Sequence, residues 1–115
     1  MQQPFNRAQG ALAQVQLEQR DELPLLRINN KHAEALIALQ GAQVLEFTPR
    51  GHKPLIWLSD KAEYKRGQGQ RGGVPVCWPW FGAIERNPAV VRAMVTGDNA
   101  PAHGLVRTED WTLHS

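Results

Sequence analysis

The sequence predicts an all-β fold, either a sandwich or a barrel. Its apolar segments are short and separated by turn dipeptides, as in chains built from many short strands. Strands and helices do not alternate as βαβ units would require. No internal repeat or domain boundary interrupts the chain, so residues 1–115 are expected to belong to a single domain.

The first predicted strands follow a polar lead-in at residues 1–10. Apolar and polar residues alternate loosely over Ala13–Glu18, which predicts a first strand, and Leu23–Ile28 predicts a second. Asn29 and Asn30 form a typical turn dipeptide, because their short amide side chains can hydrogen-bond the nearby backbone. These segments predict two strands and the turn that follows them.

The segment His32–Leu39 is ambiguous. Its apolar side chains recur at a helical spacing, and its alanine, leucine and glutamate content favours a helix. Gly41 stands where it would cap the end of such a helix. From local propensity alone, a helix is expected here.

Strands and long connections alternate further along the chain. Val44–Thr48 predicts a strand, and Leu55–Leu58 predicts another short one. Residues 60–70 are polar and glycine-spaced, which predicts a loop. Ile84–Asn99 predicts a second connection, because Asn-Pro and Gly-Asp-Asn sequences within it are turn signals.

The segment Arg71–Gly82, with the sequence RGGVPVCWPWFG, fits no regular element. Its prolines remove backbone donors, and its adjacent glycines add freedom that a regular strand would waste. We interpret it as a rigid backbone path that brings Arg71 to a defined place. The alternative is an aromatic core plug with a solvated arginine at its rim. Alternation would place Trp78 and Trp80 on one side of an extended strand; we assign Trp78 to the core and leave Trp80 open as a pocket wall.

Composition excludes several function classes. The chain has 42% hydrophobic and 21% charged residues and a net charge of +2, with its basic residues scattered, so no nucleic-acid-binding stripe is visible. Cys77 is the only cysteine, which excludes an internal disulfide and a cysteine-based zinc site, and we expect it to be a buried small hydrophobe. The N-terminus lacks a secretion signal and no segment is long enough to span a bilayer, so we expect a cytoplasmic protein without a membrane partner.

Three motifs resemble those of one family. They are LQGAQVL at residues 39–45, RGGVPVCWPWFG at 71–82 and PAHGLVR at 101–107, the last followed by Trp111. Together they resemble the D-hexose-6-phosphate mutarotases, or glucose-6-phosphate 1-epimerases, of the aldose 1-epimerase superfamily. LIWLS at 55–59 also resembles the strand that normally follows the LQGA region. The resemblance runs from about Ala33 to Leu113, and RGGVPVCWPWFG is long and unusual enough to be specific.

The resemblance implies an antiparallel β-sandwich of the galactose mutarotase type. It also implies two antiparallel strands around Gly41, which we adopt in place of the helix that propensity favours. Because such sandwiches run to roughly 200–250 residues, we expect this chain to be the N-terminal portion of one longer domain. Exposed sheet edges and apolar faces would then favour self-association.

The implied reaction interconverts the α and β anomers at C1 of a hexose 6-phosphate. It needs an acid at the ring oxygen and a base at the anomeric hydroxyl, and a histidine and a carboxylate suit these roles near neutral pH. The resemblance implies no metal and no organic cofactor. It also implies that the catalytic histidine and glutamate lie further along, so no catalytic residue is assigned here.

The resemblance implies that Arg71 and His103 contact the substrate, and we expect Arg107, at the end of the HGxxR motif, to complete an anionic clamp. A guanidinium can grip a phosphate or paired hydroxyls, and a histidine can hydrogen-bond a ring or anomeric oxygen. The alternatives are a solvated or salt-bridged Arg71, an Arg107 paired with Glu109 or Asp110, and a histidine satisfied by backbone partners.

The expected function is therefore that of a hexose-6-phosphate 1-epimerase, with a small-molecule sugar phosphate as its ligand. The main alternative is a non-catalytic carbohydrate or sugar-phosphate binding module, and a third is a purely structural segment. The chain departs from the family pattern at Ala83, where a proline is usual, and in the longer loop that follows. That loop carries Arg86 and Arg92, either of which could join a phosphate site or be solvated.

Overall fold

A computed structural model of the chain describes residues 14–95 and 97–114. Its regular elements are β1 (Val15–Arg20), β2 (Leu23–Asn29), β3 (Ala33–Ala38), β4 (Gln43–Pro49), a 3-10 helix (Ile84–Arg86) and α1 (Ala89–Arg92). The strands form one antiparallel sheet in the order β1-β2-β3-β4. The all-β antiparallel prediction is confirmed, while the predicted lead-in at residues 1–10 lies outside the described residues.

Short turns join the first three strands. β1 and β2 pair up to Arg20 and Leu23, so Asp21 and Glu22 make a two-residue turn, with Asp21 at φ 52°. Between β2 and β3, the Asn30 side chain accepts hydrogen bonds from the backbone of the two residues that precede and open β3, at 2.8 and 3.0 Å. The predicted asparagine turn is confirmed, and its side chain closes it as expected.

The ambiguous segment is a strand, so the helix that propensity favours is wrong. β3 pairs with β2 on one side and β4 on the other, and this pairing places Leu36 and Ala38 on the buried face. Gly41 and Ala42 turn the chain into β4 with φ of 77° and 49°. Cross-strand pairing and burial outweigh the small propensity differences between residue types.

One face of β2, β3 and β4 carries the core. Its fully buried members are Leu23, Leu25, Leu36, Ala38 and Leu45, with the partly buried Leu58 and Tyr64 packed against them. Leu45 reaches this face through a β-bulge, because Leu36 pairs with Glu46 while Ile37 pairs with Val44. Burying each leucine contributes about 1.5–3 kcal/mol, so this small cluster is the main apolar support of the sheet.

Two predictions about regular structure need correction. Leu55–Leu58 forms no strand, because only Leu58 bridges a partner, and that partner, Gly72, lies at φ 115°. Pro54 lacks a backbone donor, and positive φ at consecutive glycines stops a ladder from extending. The predicted connection from Ile84 to Asn99 contains two short helices as well as its turns.

The aromatic residues of the RGGVPVCWPWFG segment lie differently from our prediction. Trp78 is 63% exposed, whereas Trp80 is 6% exposed, so the assignment of Trp78 to the core is wrong. Strand alternation fails here because the residues around both prolines form no regular strand. The Trp80 indole donates to the Pro101 carbonyl at 2.9 Å, and Trp80 lines a cavity of about 270 Å³. Cys77 is half-buried rather than buried, with a free thiol.

Among the described residues, no helix is long and apolar enough to cross a bilayer.

Candidate functional site

The LQGA turn packs directly on the segment that ends in Arg107. The Gly41 N–H donates to the Glu109 carbonyl at 2.8 Å, and the Trp111 N–H donates to the Leu39 carbonyl at 2.9 Å. A Cβ built on Gly41 would overlap the Arg107 carbonyl oxygen and would lie 3.1 Å from the Arg107 Cα. Only a glycine allows this approach, so the turn fixes the backbone at Arg107.

The same downstream segment also packs on the tryptophan-rich motif. Gly104 is buried, and a Cβ there would overlap the Trp78 carbonyl oxygen and lie 2.9 Å from the Pro79 nitrogen. The Leu105 N–H donates to the Trp78 carbonyl at 2.7 Å, and the His103 N–H donates to the Gly82 carbonyl at 3.0 Å. Backbone contacts therefore join the second and third motifs.

The RGG segment packs against β4. The Gly73 N–H donates to the Trp57 carbonyl at 2.7 Å, and the Val74 N–H donates to the Val44 carbonyl at 2.8 Å. A Cβ on Gly73 would lie 2.7 Å from that same Val44 carbonyl oxygen. The three motifs, distant in sequence, thus form one contiguous unit.

Two of the predicted site residues, Arg71 and Arg107, each have Gly69 as a neighbour, since Arg71 lines a cavity with it and Arg107 packs on it. Arg71 is exposed and lines a cavity of about 350 Å³ together with Lys61, Glu63, Gln68 and Gly69. The Arg107 guanidinium packs on Gly69, since a Cβ there would overlap its Nη2 and lie 3.1 Å from its Nε. The Arg107 Nε is buried and has no hydrogen-bond partner in the described part of the chain.

The charges around this cavity favour an anion. Its lining carries two cations, Lys61 and Arg71, against one carboxylate, Glu63. Arg107 is not paired with Asp110, because Asp110 binds Arg66 at 2.6 and 2.7 Å. Within residues 14–95 and 97–114, no ion pair involves Arg71 or Arg107. In this part of the chain, no carboxylate therefore neutralises either guanidinium group.

His103 lies in a neighbouring cluster. It has φ 68°, and its Nδ1 accepts a hydrogen bond from the Gly82 N–H at 3.0 Å. Its ring packs on Phe81 with 5.0 Å between centroids and 54° between planes. Because Nδ1 accepts, a neutral ring carries its proton on Nε2, which can donate to a ligand oxygen. No hydrogen bond in the described region joins His103 to Arg71 or Arg107.

The two arginines of the loop, Arg86 and Arg92, do not line the cavity that holds Arg71. Arg92 Nη1 donates to the Asn87 carbonyl within its own loop. Arg86 ends the 3-10 helix and is exposed.

Sequence reasoning missed three buried glutamines, Gln40, Gln43 and Gln70. Gln40 is 3% exposed, accepts from the Gly67 N–H at 2.8 Å and donates to the Gln68 carbonyl at 3.1 Å. Gln43 is 2% exposed and donates to the Gly72 carbonyl at 2.7 Å. Gln40 and Gln43 flank the Gly41–Ala42 turn, but a glutamine beside a turn is ordinarily solvated, so their burial had no local signal.

Sequence comparison assigns the chain to a protein family. The model described as aldose 1-epimerase matches residues 24–115. This chain belongs to the aldose 1-epimerase family. An Escherichia coli (strain K12) relative named "Putative glucose-6-phosphate 1-epimerase" is 43% identical over 95 residues, which are 83% of this chain and 29% of that protein.

Solved structures of the family share the fold. A crystal structure described as "a putative mutarotase (YeaD) from Salmonella typhimurium" matches with a TM-score of 0.75 at 34% identity, over 90% of this chain and 31% of that one. The crystal structure of HI1317 matches with a TM-score of 0.71 at 34% identity, over 87% of this chain and 32% of that one. The galactose mutarotase-like fold is confirmed, and the chain spans about a third or less of these relatives.

Proposed function

We propose that this chain supplies substrate-binding groups of a hexose-6-phosphate 1-epimerase. The observation that carries the proposal is the cavity of net positive lining that holds Arg71, together with the Arg107 guanidinium packed on Gly69 of that lining. Family membership supports the epimerase chemistry, and the two guanidinium groups support an anionic substrate. The relatives' names point to glucose 6-phosphate as the first ligand to test.

The cavity has the size and the chemistry for a sugar phosphate. Its volume of about 350 Å³ lies within the range of small-molecule sites. In our proposal, Arg71 binds the phosphate in a bidentate manner and Lys61 adds a point charge. Glu63 then accepts hydrogen bonds from sugar hydroxyls. Arg107, held against Gly69, completes the cationic surface.

His103 would contact the sugar rather than the phosphate. Its Nδ1 is occupied by the Gly82 N–H, so Nε2 donates to a ring or anomeric oxygen. This arrangement fixes both the tautomer and the ring orientation, as a binding histidine requires. We assign it substrate contact and no acid–base role.

Anomer exchange of glucose 6-phosphate, followed by NMR saturation transfer, tests this function. The 115-residue chain is compared with a chimera in which it replaces the matched segment of the Escherichia coli relative. We expect exchange in the chimera, and we expect its loss by at least tenfold in Arg71→Ala and Arg107→Ala versions, because each removes charged hydrogen bonds. Arg50→Ala, which removes an arginine bonded to Asn29, serves as the control.

The outcomes separate the enzyme from its alternative. Exchange that is insensitive to Arg71 and Arg107 would contradict our assignment of the site. Binding of glucose 6-phosphate without exchange in either protein would favour a non-catalytic sugar-phosphate binding module. Exchange by the isolated 115-residue chain would show that it carries an acid–base pair, and His103 would be the first residue to replace.

A further inference from the structure

The backbone around Arg71 lies outside regular structure and is held by separate hydrogen bonds, one of them from the Ser59 N–H to the Arg71 carbonyl at 2.8 Å. Gly67 to Gly73 contains no helix and no strand beyond one bridge at Gly72. Loops of this composition are normally mobile, because glycine gains the most freedom on release. Yet this segment must hold Arg71 at one place if it binds a ligand. The two buried glutamines of the LQGAQ sequence add restraints at both ends of this segment.

Gln43 restrains the peptide unit that follows Arg71 by one residue. Its Nε2 donates to the Gly72 carbonyl at 2.7 Å, while the next N–H, that of Gly73, donates to the Trp57 carbonyl at 2.7 Å. A Cβ on Gly73 would lie 2.9 Å from the Gln43 Nε2, so the amide also packs on the backbone. Both polar groups of the Gly72–Gly73 peptide unit are therefore held.

Gln40 restrains the other end of the same segment. Its Oε1 accepts from the Gly67 N–H at 2.8 Å, and its Nε2 donates to the Gln68 carbonyl at 3.1 Å. Gln68 and Gly69 line the cavity with Arg71, and Arg107 packs on Gly69. Gln40 thus holds the surface on which the second guanidinium lies.

We propose that Gln40 and Gln43 are positioning residues that set the Arg71 and Arg107 guanidinium groups relative to each other. The inference rests on the proposed function, in which both arginines bind one ligand. The two amides stand three residues apart on either side of the Gly41 turn and reach opposite ends of one loop. They act through the backbone and make no contact with the reacting atoms.

A neutral substitution of nearly equal size tests this role. Gln43→Met removes the donor to Gly72 without adding charge near the cationic cavity. The matched control is Gln19→Met, because Gln19 also donates to a backbone carbonyl, that of Asp21 at 3.0 Å, in the distant β1–β2 turn. The ¹⁵N-labelled chain is titrated with glucose 6-phosphate, and heteronuclear NOEs report the order of the Gly72 and Gly73 amides.

We expect the Kd for glucose 6-phosphate to rise about tenfold in Gln43→Met, as loss of one buried hydrogen bond allows. The Gly72 and Gly73 amides lose order, while in Gln19→Met the Kd stays within about twofold of the original. A folded Gln43→Met chain with unchanged Kd and unchanged amide order would overturn the proposal.

Two other outcomes still test the proposal. If the original chain does not bind glucose 6-phosphate, the amide order alone decides whether Gln43 restrains the loop, and the chimera decides the proposed function. If Gln43→Met does not fold, Gln40→Met is measured in the same way at the Gly67 and Gln68 amides. Unchanged order in that variant would overturn the proposal.

Discussion

Replacing Gly41 by alanine tests the contact between the LQGA turn and the Arg107 segment. Gly41 has φ 77°, and an added Cβ would overlap the Arg107 carbonyl oxygen. The obstacle is backbone on both sides, so neither partner can rotate away. The turn and the Arg107 segment must move apart, and the hydrogen bond from Gly41 to the Glu109 carbonyl weakens as they do.

The expected cost follows from two contributions. Placing a non-glycine residue in the left-handed region costs about 1–2 kcal/mol. Losing the Gly41–Glu109 hydrogen bond adds about 0.5–1.5 kcal/mol. We therefore expect Gly41→Ala to lower the free energy of unfolding by about 1.5–3.5 kcal/mol, a large part of the stability of a small domain.

Gly51→Ala is the matched control. Gly51 has a similar φ of 80°, but a Cβ there would meet no atom within 4 Å. The backbone penalty and the lower entropy of the unfolded chain are then common to both variants. The difference between their losses of unfolding free energy therefore reports the close approach of Gly41 to the Arg107 carbonyl. Urea unfolding measures both. Equal losses within about 0.5 kcal/mol would refute the contact between the turn and Arg107.

Three further predictions concern stability and association. Leu36→Ala should lower the unfolding free energy by about 2–5 kcal/mol, whereas Leu55→Ala, at a 66% exposed position, should change it by less than about 0.5 kcal/mol in urea unfolding. The hydrogen bond to Asp21 and the negative charge of Asp21 raise the pKa of Lys65 above 10.5. The stability that the charged Lys65 adds to the fold is therefore complete below pH 10.5 and is lost as the pH rises through the raised pKa. Unfolding free energies measured between about pH 9 and about pH 12 should therefore fall less steeply in Lys65→Met. In the described sheet, β1 has no partner on its outer edge, so light scattering should detect self-association that Leu17→Lys reduces; equal masses for both chains would contradict this.

The local sequence pattern predicted most strands of the sheet, but it failed where pairing with distant strands determines the secondary structure. The strands Val44–Thr48 and Leu23–Ile28 and the asparagine turn were readable because alternation and turn chemistry are local properties. The β3 segment reads as helix by propensity, and only the family resemblance gave the strand. Its two neighbours in the sheet override a preference worth a few tenths of a kcal/mol per residue.

The sequence predicted the arginines of the candidate site but not the residues that hold them in place. Arg71 and Arg107 stand in unusual motifs, so the sequence marks them. Gly69, which lines the cavity with Arg71 and packs on Arg107, lies in a polar loop that carries no motif, so its position depends on the folded path of that loop. The burial of Gln40 and Gln43 likewise depends on what packs over the turn, which a single sequence does not state.

The most direct measurement of the site follows the arginine side chains themselves. The Nε–H resonances of the ¹⁵N-labelled chain are recorded during titration with glucose 6-phosphate, and in parallel with glucose and with inorganic phosphate. The account predicts that glucose 6-phosphate shifts the Arg71 and Arg107 resonances together, that phosphate shifts them less, and that Arg50 stays unchanged. Titration that moves neither Arg71 nor Arg107, or moves Arg50 equally, would contradict it.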